Sequence, residues 1–425
     1  MPDLQTSELK AVMTGLGEAA RAASRQLALA PADAKNKALM LAAGELRRSA
    51  PAIKDANAKD MDAARAKGLD GAMLDRLMLD DKRIEAMAKG LEDIAALPDP
   101  VGRVLDEWDR PNGLRIQRVA VPLGVIGIIY ESRPNVTADA SALCLKSGNA
   151  AILRGGSESF HSSQAIMAAL TAGIEGASLP PDSIQMVPTS DREAVGIMLK
   201  MSEYIDVLVP RGGKSLIARV IEESRIPLFQ HLDGNCHTYV DGDADLEMAR
   251  KVVLNAKMRR TGICGATETL LVDHKVRASH LPHLVADLLA HDCEVRGDQY
   301  VQLLDSRIVP ATEDDWRTEY LDAIIAVKMV HGVDEAIAHI NTHGSSHTEA
   351  IITENAETAE RFLKGCNSAI CLWNASTQFA DGGEFGMGAE IGISTGKLHA
   401  RGPVGLEQLC TMKYVVRGHG QTRPN

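Results

Sequence analysis

The sequence predicts an α/β protein built from two or three domains. At 425 residues the chain is too long for one ordinary hydrophobic core. Residues 1–95 have apolar positions three and four apart, whereas from about Arg115 onward short β-rich runs alternate with helical segments. Nearly continuous apolar strands separated by helices are typical of a parallel sheet covered by helices.

The individual elements follow from the same patterns. The Ala-rich N-terminal part, with apolar positions such as Leu39, Leu41 and Leu46, predicts amphipathic helices. Helices are also predicted through residues 165–172, 195–200 and 214–223. Strands are predicted at 119–121, 125–130, 151–154, 184–188, 205–209, 268–272, 324–330, 350–353, 369–373 and 412–416.

The segment Asp381–Gly405 differs from both patterns, because it holds eight glycines and little periodicity. It is either a long ordered loop or a linker. Compact domains seldom contain long loops without a role, so the functional loop is the favoured interpretation.

Composition excludes several classes of partner. Aromatic residues make up 3% of the chain and the net charge is −11, which disfavours nucleic acid and anionic membrane surfaces. The N-terminus lacks a signal peptide and no apolar run is long enough to span a bilayer, so a cytoplasmic protein is predicted. The seven cysteines are irregularly spaced, which predicts reduced thiols and no metal site.

Two predicted strand-to-helix turns are glycine-rich and carry a cation. They are Leu153-Arg-Gly-Gly-Ser and Val209-Pro-Arg-Gly-Gly-Lys, and the second contains Gly212 and Gly213. Backbone N–H groups at such turns can bind phosphate, although in either turn alone the glycines could simply close the turn. The two turns together favour the binding of a dinucleotide. Arg154 and Ser157 are placed to meet a ribose 2′-phosphate, which predicts NADP rather than NAD.

Among the cysteines, Cys264 is the best candidate nucleophile. Lys257, Arg259 and Arg260 precede it and glycines flank it, a setting that favours the thiolate and close approach of a substrate. The rival is Cys236, whose neighbour is His237. In an extended strand these two side chains would point to opposite faces, so Cys236 is assigned a packing role. The remaining five cysteines lie in apolar surroundings and are predicted to be core residues.

Several motifs resemble the aldehyde dehydrogenase superfamily in type and order. They are Val121-Pro-Leu-Gly-Val-Ile-Gly, the stretch from Gly234 to Leu246, and the Cys264 segment. Finer details resemble its γ-glutamyl phosphate reductase family over nearly the whole chain: Tyr130-Glu-Ser-Arg-Pro-Asn-Val-Thr, Asn255-Ala-Lys, Gly388-Ala-Glu-Ile-Gly-Ile-Ser-Thr and Ala400-Arg-Gly-Pro-Val-Gly-Leu.

The resemblance implies an aldehyde-dehydrogenase-like fold in three parts. Residues 1–111 and 122–230 would form a Rossmann-like NADP-binding domain, and residues 231–407 an α/β catalytic domain. Residues 112–121 and 408–425 would form a small β-flap used in homo-oligomerisation. The resemblance also implies glutamate 5-kinase as a partner that the protein contacts transiently.

The resemblance also implies site residues. Cys264 matches the catalytic cysteine, Asn135 resembles the asparagine that stabilises the oxyanion, and Glu319 resembles the glutamate that binds the nicotinamide ribose. His231 stands where aldehyde-oxidising members carry a glutamate that activates water. Without that base the thioester is not hydrolysed efficiently, as is required of an enzyme that reduces the thioester instead.

The implied reaction is the NADPH-dependent reduction of L-glutamyl 5-phosphate through a thioester on Cys264. Arg259 or Arg260 would aid the departing phosphate, and residues 386–396 would surround the amino-acid end of the substrate. Two alternatives remain open from the sequence. One is an acylating aldehyde dehydrogenase that uses an acyl-CoA, and the other is a non-catalytic relative that binds nucleotide or serves as an assembly partner.

Overall fold

The computed structural model describes residues 6–69 and 71–423. They form two compact units. The first comprises the described residues up to Gln230, together with Met387–Gly392 and the described residues from Val404 onward. The second comprises His231–Gly386 and Ile393–Pro403.

The described part of the chain contains helices in both units, numbered here in chain order. They are α1 (Thr6–Leu27), α2 (Ala32–Arg48), α3 (Ala50–Ala66), α4 (Gly71–Leu77), α5 (Asp81–Ala96), α6 (Asn135–Lys146), α7 (Phe160–Gly176), α8 (Arg192–Met198), α9 (Lys214–Glu223), α10 (Leu246–Met258), α11 (Leu281–Ala290), α12 (Gly332–His343) and α13 (Ala356–Gly365).

The strands are numbered in the same way. They are β1 (Val104–Asp109), β2 (Arg115–Pro122), β3 (Val125–Tyr130), β4 (Ala150–Arg154), β5 (Ile184–Met186), β6 (Val207–Arg211), β7 (Cys236–Val240), β8 (Thr267–Asp273), β9 (Glu294–Gly297), β10 (Val309–Pro310), β11 (Ile324–Val330), β12 (Thr348–Ile352), β13 (Ile370–Trp373), β14 (Ile393–Ser394), β15 (Gly402–Pro403) and β16 (Cys410–Arg417).

The first unit is built around a four-stranded parallel sheet in the order β5-β4-β3-β6. Every residue of β3 and β4 is buried, as expected for strands covered on both faces. The N-terminal helices pack closely on this layer. At the α2–α7 crossing, a Cβ at Gly173 would lie 2.4 Å from the backbone nitrogen of Ala42, so only glycine allows this approach.

A second, three-stranded antiparallel sheet in the first unit has the order β1-β2-β16. Its register pairs Cys410 with Pro122 and Arg417 with Arg115. It therefore joins parts of the two segments that the sequence assigned to the β-flap. It also contains β1, which the sequence placed in the cofactor domain.

The second unit contains a seven-stranded parallel sheet in the order β10-β9-β11-β8-β7-β12-β13. Apolar clusters formed with α10 and α11, and with α12 and α13, pack on it. The interior strand β7 is fully buried although it contains polar residues, and most of their groups are paired, His237 Nε2 being the exception. Thr238, for example, lies 2.7 Å from Thr267 between the hydroxyl oxygens.

The glycine-rich segment Asp381–Gly405 is ordered by local pairing. In the second unit, β14 pairs with β15 in antiparallel register, and both strands are buried. In the first unit, the Ile391 N–H donates to the carbonyl of Val404 at 2.9 Å. The interpretation as an ordered loop is confirmed over this part of the chain.

Candidate active site

Cys264 lies in the loop 259–266 between α10 and β8, and its side chain is partly exposed. Gln378 fixes this loop, because its Nε2 donates to the carbonyls of Ala256 at 3.0 Å and Arg260 at 3.2 Å. Cys264 is therefore held in a defined place where a reactant can reach it.

Gly234 packs directly on the backbone of Cys264. A Cβ at Gly234 would lie 2.2 Å from the Cys264 carbonyl oxygen and 2.6 Å from its Cα and Cβ. The N–H of Gly234 donates to Glu319 Oε1 at 2.9 Å. The glycine thus links Glu319 to the cysteine, and any side chain at this position would displace the Cys264 loop.

Glu319 is presented by a segment that Asp315 organises. The Asp315 carboxylate accepts from Arg296 Nη1 at 2.8 Å, from the Thr312 N–H at 2.7 Å and from the Tyr320 hydroxyl at 2.7 Å. Burial works against ionisation of Asp315, but these donors outweigh it and hold its pKa down to about 2. The segment therefore depends on an ionised carboxylate.

Cys236 lies beneath Cys264 and has different chemistry. Its thiol is fully buried and donates to the Cys264 carbonyl at 3.0 Å. Burial, and secondly the charge of Glu349, raise the pKa of this thiol well above its ordinary value. The neighbouring His237 instead pairs with Glu349, at 3.0 Å between Nδ1 and Oε2. A protonated thiol of this kind is a poor nucleophile, which supports the packing role assigned to Cys236.

Two histidines lie beside the Cys264 sulfur. Cys264 Sγ and one ring nitrogen each of His231 and His347 all lie within 4.8 Å of one another. His231 Nδ1 is 2.7 Å from the carbonyl oxygen of Ile393, so that nitrogen carries the proton and donates. Burial, followed by the charge of His231, lowers the pKa of His347 to about 3, which keeps its ring neutral. Sequence reasoning did not identify His347, since nothing in its local pattern marks it.

The basic residues before Cys264 divide into two kinds. Lys257 is fully buried and its ammonium group pairs with Glu268, so its charge is compensated. The expectation that Lys257 adds to the positive field at Cys264 is therefore wrong. Arg259 and Arg260 are exposed, and Arg259 Nη1 donates to Gln378 Oε1 at 3.3 Å.

The two glycine-rich turns meet at one edge of the four-stranded sheet. The chain runs β3-β4-β5 in one direction and then crosses to β6 on the other side of β3, which makes a topological switch point between β3 and β6. Gly212 and Gly213 follow β6 at this point, and Gly155 and Gly156 follow β4. Carboxyl ends of parallel strands at a switch point are where open α/β sheets bind nucleotides.

Glu131 lies between these turns and was not identified from the sequence. The N–H of Gly213, at the start of α9, donates to Glu131 Oε2 at 3.0 Å, and a Cβ at Gly212 would lie 2.5 Å from the same oxygen. A Cβ at Gly156 would lie 3.3 Å from the Cα of Glu131. The Glu131 carboxylate occupies the N-terminus of α9, so an anionic ligand would have to displace it to use the exposed backbone of Gly212 and Gly213.

Arg154 and Ser157, which were predicted to bind the ribose 2′-phosphate, form hydrogen bonds within the protein. Arg154 is buried, and its guanidinium donates to the carbonyls of Gly155 at 2.8 Å and Ser190 at 2.7 Å. Ser157 is exposed, and its hydroxyl donates to Glu158 Oε1 at 2.9 Å. A carboxylate therefore lies next to Ser157, a feature that the sequence interpretation did not consider.

Asn135 is the first residue of α6 in the first unit and is exposed. Its Nδ2 donates to Asp139 Oδ2 at 2.9 Å. Burial raises the pKa of Asp139 to about 6, so above that pH the carboxylate accepts this hydrogen bond and orients the amide.

Within residues 6–69 and 71–423, no helix combines the length and apolarity needed to cross a lipid bilayer. All seven cysteines lie in those ranges, and none forms a disulfide.

Comparison with known proteins shows which family the chain belongs to. Residues 6–302 match the model of the aldehyde dehydrogenase family. The chain is 70% identical to gamma-glutamyl phosphate reductase of Paramagnetospirillum magneticum, over 99% of this chain and 100% of that protein. It is 64% identical to the enzyme of the same name from Rhodospirillum rubrum, over 99% of each. The crystal structure of gamma-glutamyl phosphate reductase from Thermotoga maritima superposes with a TM-score of 0.95 at 46% identity, covering 97% of this chain and 100% of that one. The chain belongs to the aldehyde dehydrogenase family and, within it, to the gamma-glutamyl phosphate reductases.

Proposed function

We propose that the chain catalyses NADPH-dependent reduction of L-glutamyl 5-phosphate to L-glutamate 5-semialdehyde and inorganic phosphate, the second step of proline biosynthesis from glutamate. The observation that carries this proposal is the partly exposed Cys264, held against Gly234 with two histidines beside its sulfur. The names of the full-length relatives support the choice of substrate.

The first step is thiol activation and acyl transfer. Because burial lowers the pKa of His347 to about 3, its ring is a poor base near neutral pH, and we assign the thiol proton to His231. The thiolate attacks the acyl carbon, a carbon–sulfur bond forms, and the carbon–oxygen bond to phosphate breaks. Arg259 and Arg260 are exposed at the start of the Cys264 loop and would stabilise the leaving phosphate.

The second step reduces the thioester. NADPH, when bound, supplies the hydride, and the glycine turns around Gly156 and Gly212 would hold it together with Glu319. Asn135 and the N–H of Cys264 would stabilise the oxyanion that forms at the acyl carbon. Breaking the carbon–sulfur bond then releases the aldehyde, and the sulfur regains its proton.

The reaction is tested most simply in reverse. We expect oxidation of glutamate 5-semialdehyde with NADP⁺ to require inorganic phosphate, with Cys264→Ala abolishing turnover and Cys236→Ser retaining it. Equal rates with coenzyme A and no phosphate would instead identify an acyl-CoA reductase. Retention of turnover by Cys264→Ala would show that Cys264 is not the nucleophile. Complementation of a proline auxotroph by the same variants provides the test in cells.

Cofactor choice needs a separate test because Glu158 lies beside Ser157. We expect kcat/KM to be higher with NADPH than with NADH, and Ser157→Ala to reduce that ratio. Glu158→Gln should raise it, because the substitution removes a charge that repels a 2′-phosphate. Equal use of NADH by the wild type would contradict the NADPH assignment.

We also propose that the chain acts in the cytoplasm as a homo-oligomer through the β1-β2-β16 sheet. Met412, Tyr414 and Val416 alternate along β16, share one face, and are 46%, 59% and 53% exposed. An apolar face of this kind is typical of a surface that another subunit covers. Tyr414→Arg should reduce the mass measured by light scattering, and an unchanged mass would exclude this face as the interface.

A further inference from the structure

The side chains around the Cys264 sulfur form a group with metal-ligand chemistry. Cys264 Sγ and one ring nitrogen each of His231 and His347 lie within 4.8 Å of one another. Among residues 6–69 and 71–423, this is the single group of three or more His, Cys, Asp or Glu side chains placed closely enough to hold a metal ion. The three residues are distant in sequence, which is why the spacing of cysteines and histidines along the chain predicted no metal site.

His347 provides a second, independent observation. The residue is 0% exposed, and its Nε2 is buried without a hydrogen-bond partner. Its other ring nitrogen, Nδ1, lies 2.9 Å from the hydroxyl oxygen of Thr348 and 3.5 Å from Cys236 Sγ. A buried polar nitrogen that lacks a partner is uncommon, and this one belongs to a ring that lies beside a thiol and a second imidazole.

His231 has the orientation of a metal ligand. Its Nδ1 donates to the Ile393 carbonyl at 2.7 Å, which leaves the lone pair on Nε2. Histidines that bind metals usually donate their other N–H to a carbonyl or carboxylate in this way, because the hydrogen bond fixes both tautomer and ring orientation.

The donor set suits zinc. One thiolate and two imidazoles are ligands of Zn²⁺, which binds sulfur at about 2.3 Å and nitrogen at about 2.0–2.1 Å in tetrahedral geometry. Those bonds would bring the ligand atoms to about 3.4–3.6 Å from one another, a contraction of up to about 1.4 Å from a spacing of 4.8 Å. Rotation of the partly exposed Cys264 side chain can bring its sulfur closer while His231 keeps its hydrogen bond to Ile393.

We propose that Cys264, His231 and His347 bind a thiophilic divalent cation such as Zn²⁺, and that the bound ion reversibly blocks the cysteine. On binding, the thiol loses its proton to solvent, a sulfur–metal bond forms, and the ion exchanges water for protein ligands without any change of oxidation state. The inhibition, but not the binding, rests on the proposed catalytic role of Cys264.

The experiment titrates the metal-free full chain with Co²⁺, which reports thiolate ligation by a charge-transfer absorption band, and then displaces Co²⁺ with Zn²⁺. Cys264→Ser should abolish the band. His347→Asn and His231→Asn each remove Nε2 while keeping a donor near the Nδ1 position. Each should weaken binding by more than the roughly 10- to 100-fold that loss of an outer-shell partner costs. Cys144→Ala, which changes a fully buried thiol of the first unit, is the control and should bind like the wild type.

A saturable band for one Co²⁺ per chain that both histidine variants weaken supports the site. Absence of the band, or equal affinity in both histidine variants and the wild type, would overturn it. If His347→Asn does not fold by circular dichroism, His231→Asn and Cys264→Ser decide the question. Turnover in Cys264→Ser with an intact wild-type metal site would instead reject the proposed function alone.

Discussion

Substituting Gly234 by Ala should disable catalysis by displacing Cys264, although it removes no catalytic group. The new Cβ would lie 2.2 Å from the Cys264 carbonyl oxygen and 2.6 Å from its Cα, whereas ordinary contact begins at 3.4 Å. The atoms it meets are backbone or Cβ, so they cannot rotate away as the end of a long side chain could. The Cys264 loop must therefore move by about 1 Å, and a displacement of that size can cost about 10²-fold in rate.

The assay is steady-state kinetics of the phosphate-dependent oxidation of glutamate 5-semialdehyde, with NADP⁺ affinity measured separately. We expect kcat to fall by about 10²-fold and stability to fall by about 1–3 kcal/mol from overpacking. Any loss of NADP⁺ affinity would report disturbance of the hydrogen bond from Gly234 to Glu319.

The matched control is Gly242→Ala in the same unit. There the new Cβ would meet the flexible side chain of Lys275, with its Cδ at 2.6 Å and its Cβ at 3.2 Å. This variant should retain wild-type kcat. Wild-type kcat in Gly234→Ala, or an equal loss in both variants, would refute the argument that close packing at Gly234 positions the nucleophile.

Three further predictions concern packing and protonation. Gly173→Ala should lower the free energy of unfolding by at least about 1–3 kcal/mol in urea titrations, because its Cβ would strike the backbone of α2. Gly44→Ala is the control: its Cβ would have no atom within 4 Å, so it should raise the free energy of unfolding by about 0.5–1 kcal/mol. Equal effects of the two substitutions would contradict the packing argument. Asp315→Asn should cost about 2 kcal/mol near neutral pH, since the native pKa of about 2 lies below the ordinary 3.8. This stabilisation is present above the ordinary pKa and is lost as pH falls from 3.8 towards 2, so the unfolding free energies of the variant and the wild type should converge in acid. If the two free energies instead differed by the same amount at every pH, the ionised carboxylate would be excluded as the cause. His231→Asn should lower kcat/KM by about 10²-fold near neutral pH, with recovery as pH rises and the Cys264 thiol ionises unaided. A loss independent of pH would reject His231 as the base.

Much of the fold could be predicted because apolar runs mark buried strands. The fully buried β3, β4 and β8 were expected at nearly their observed positions. By contrast, β1 was not predicted, because five of its six residues are exposed and its sequence Val-Leu-Asp-Glu-Trp-Asp lacks a buried apolar alternation. The two-residue strand β10 is too short for any pattern to show.

The site was predicted less completely, because its contacts join distant parts of the chain. Local glycines and charges drew attention to Cys264, but they led to an error at Lys257, whose compensating Glu268 lies on the following strand. The contact of Gly234 with Cys264 and the position of His347 depend on how β7, β8 and β12 lie side by side. No local pattern of residues reports such neighbours.

The central claim is that Cys264 carries the acyl group, and trapping that group tests it most directly. Mixing the enzyme with glutamate 5-semialdehyde and NADP⁺ without phosphate should leave a thioester that phosphate or hydroxylamine releases. After rapid quenching and proteolysis, mass spectrometry should find one glutamyl group on the peptide that contains Cys264, and none in Cys264→Ser. A glutamyl group on the Cys236 peptide, or full turnover by Cys264→Ser, would contradict the account.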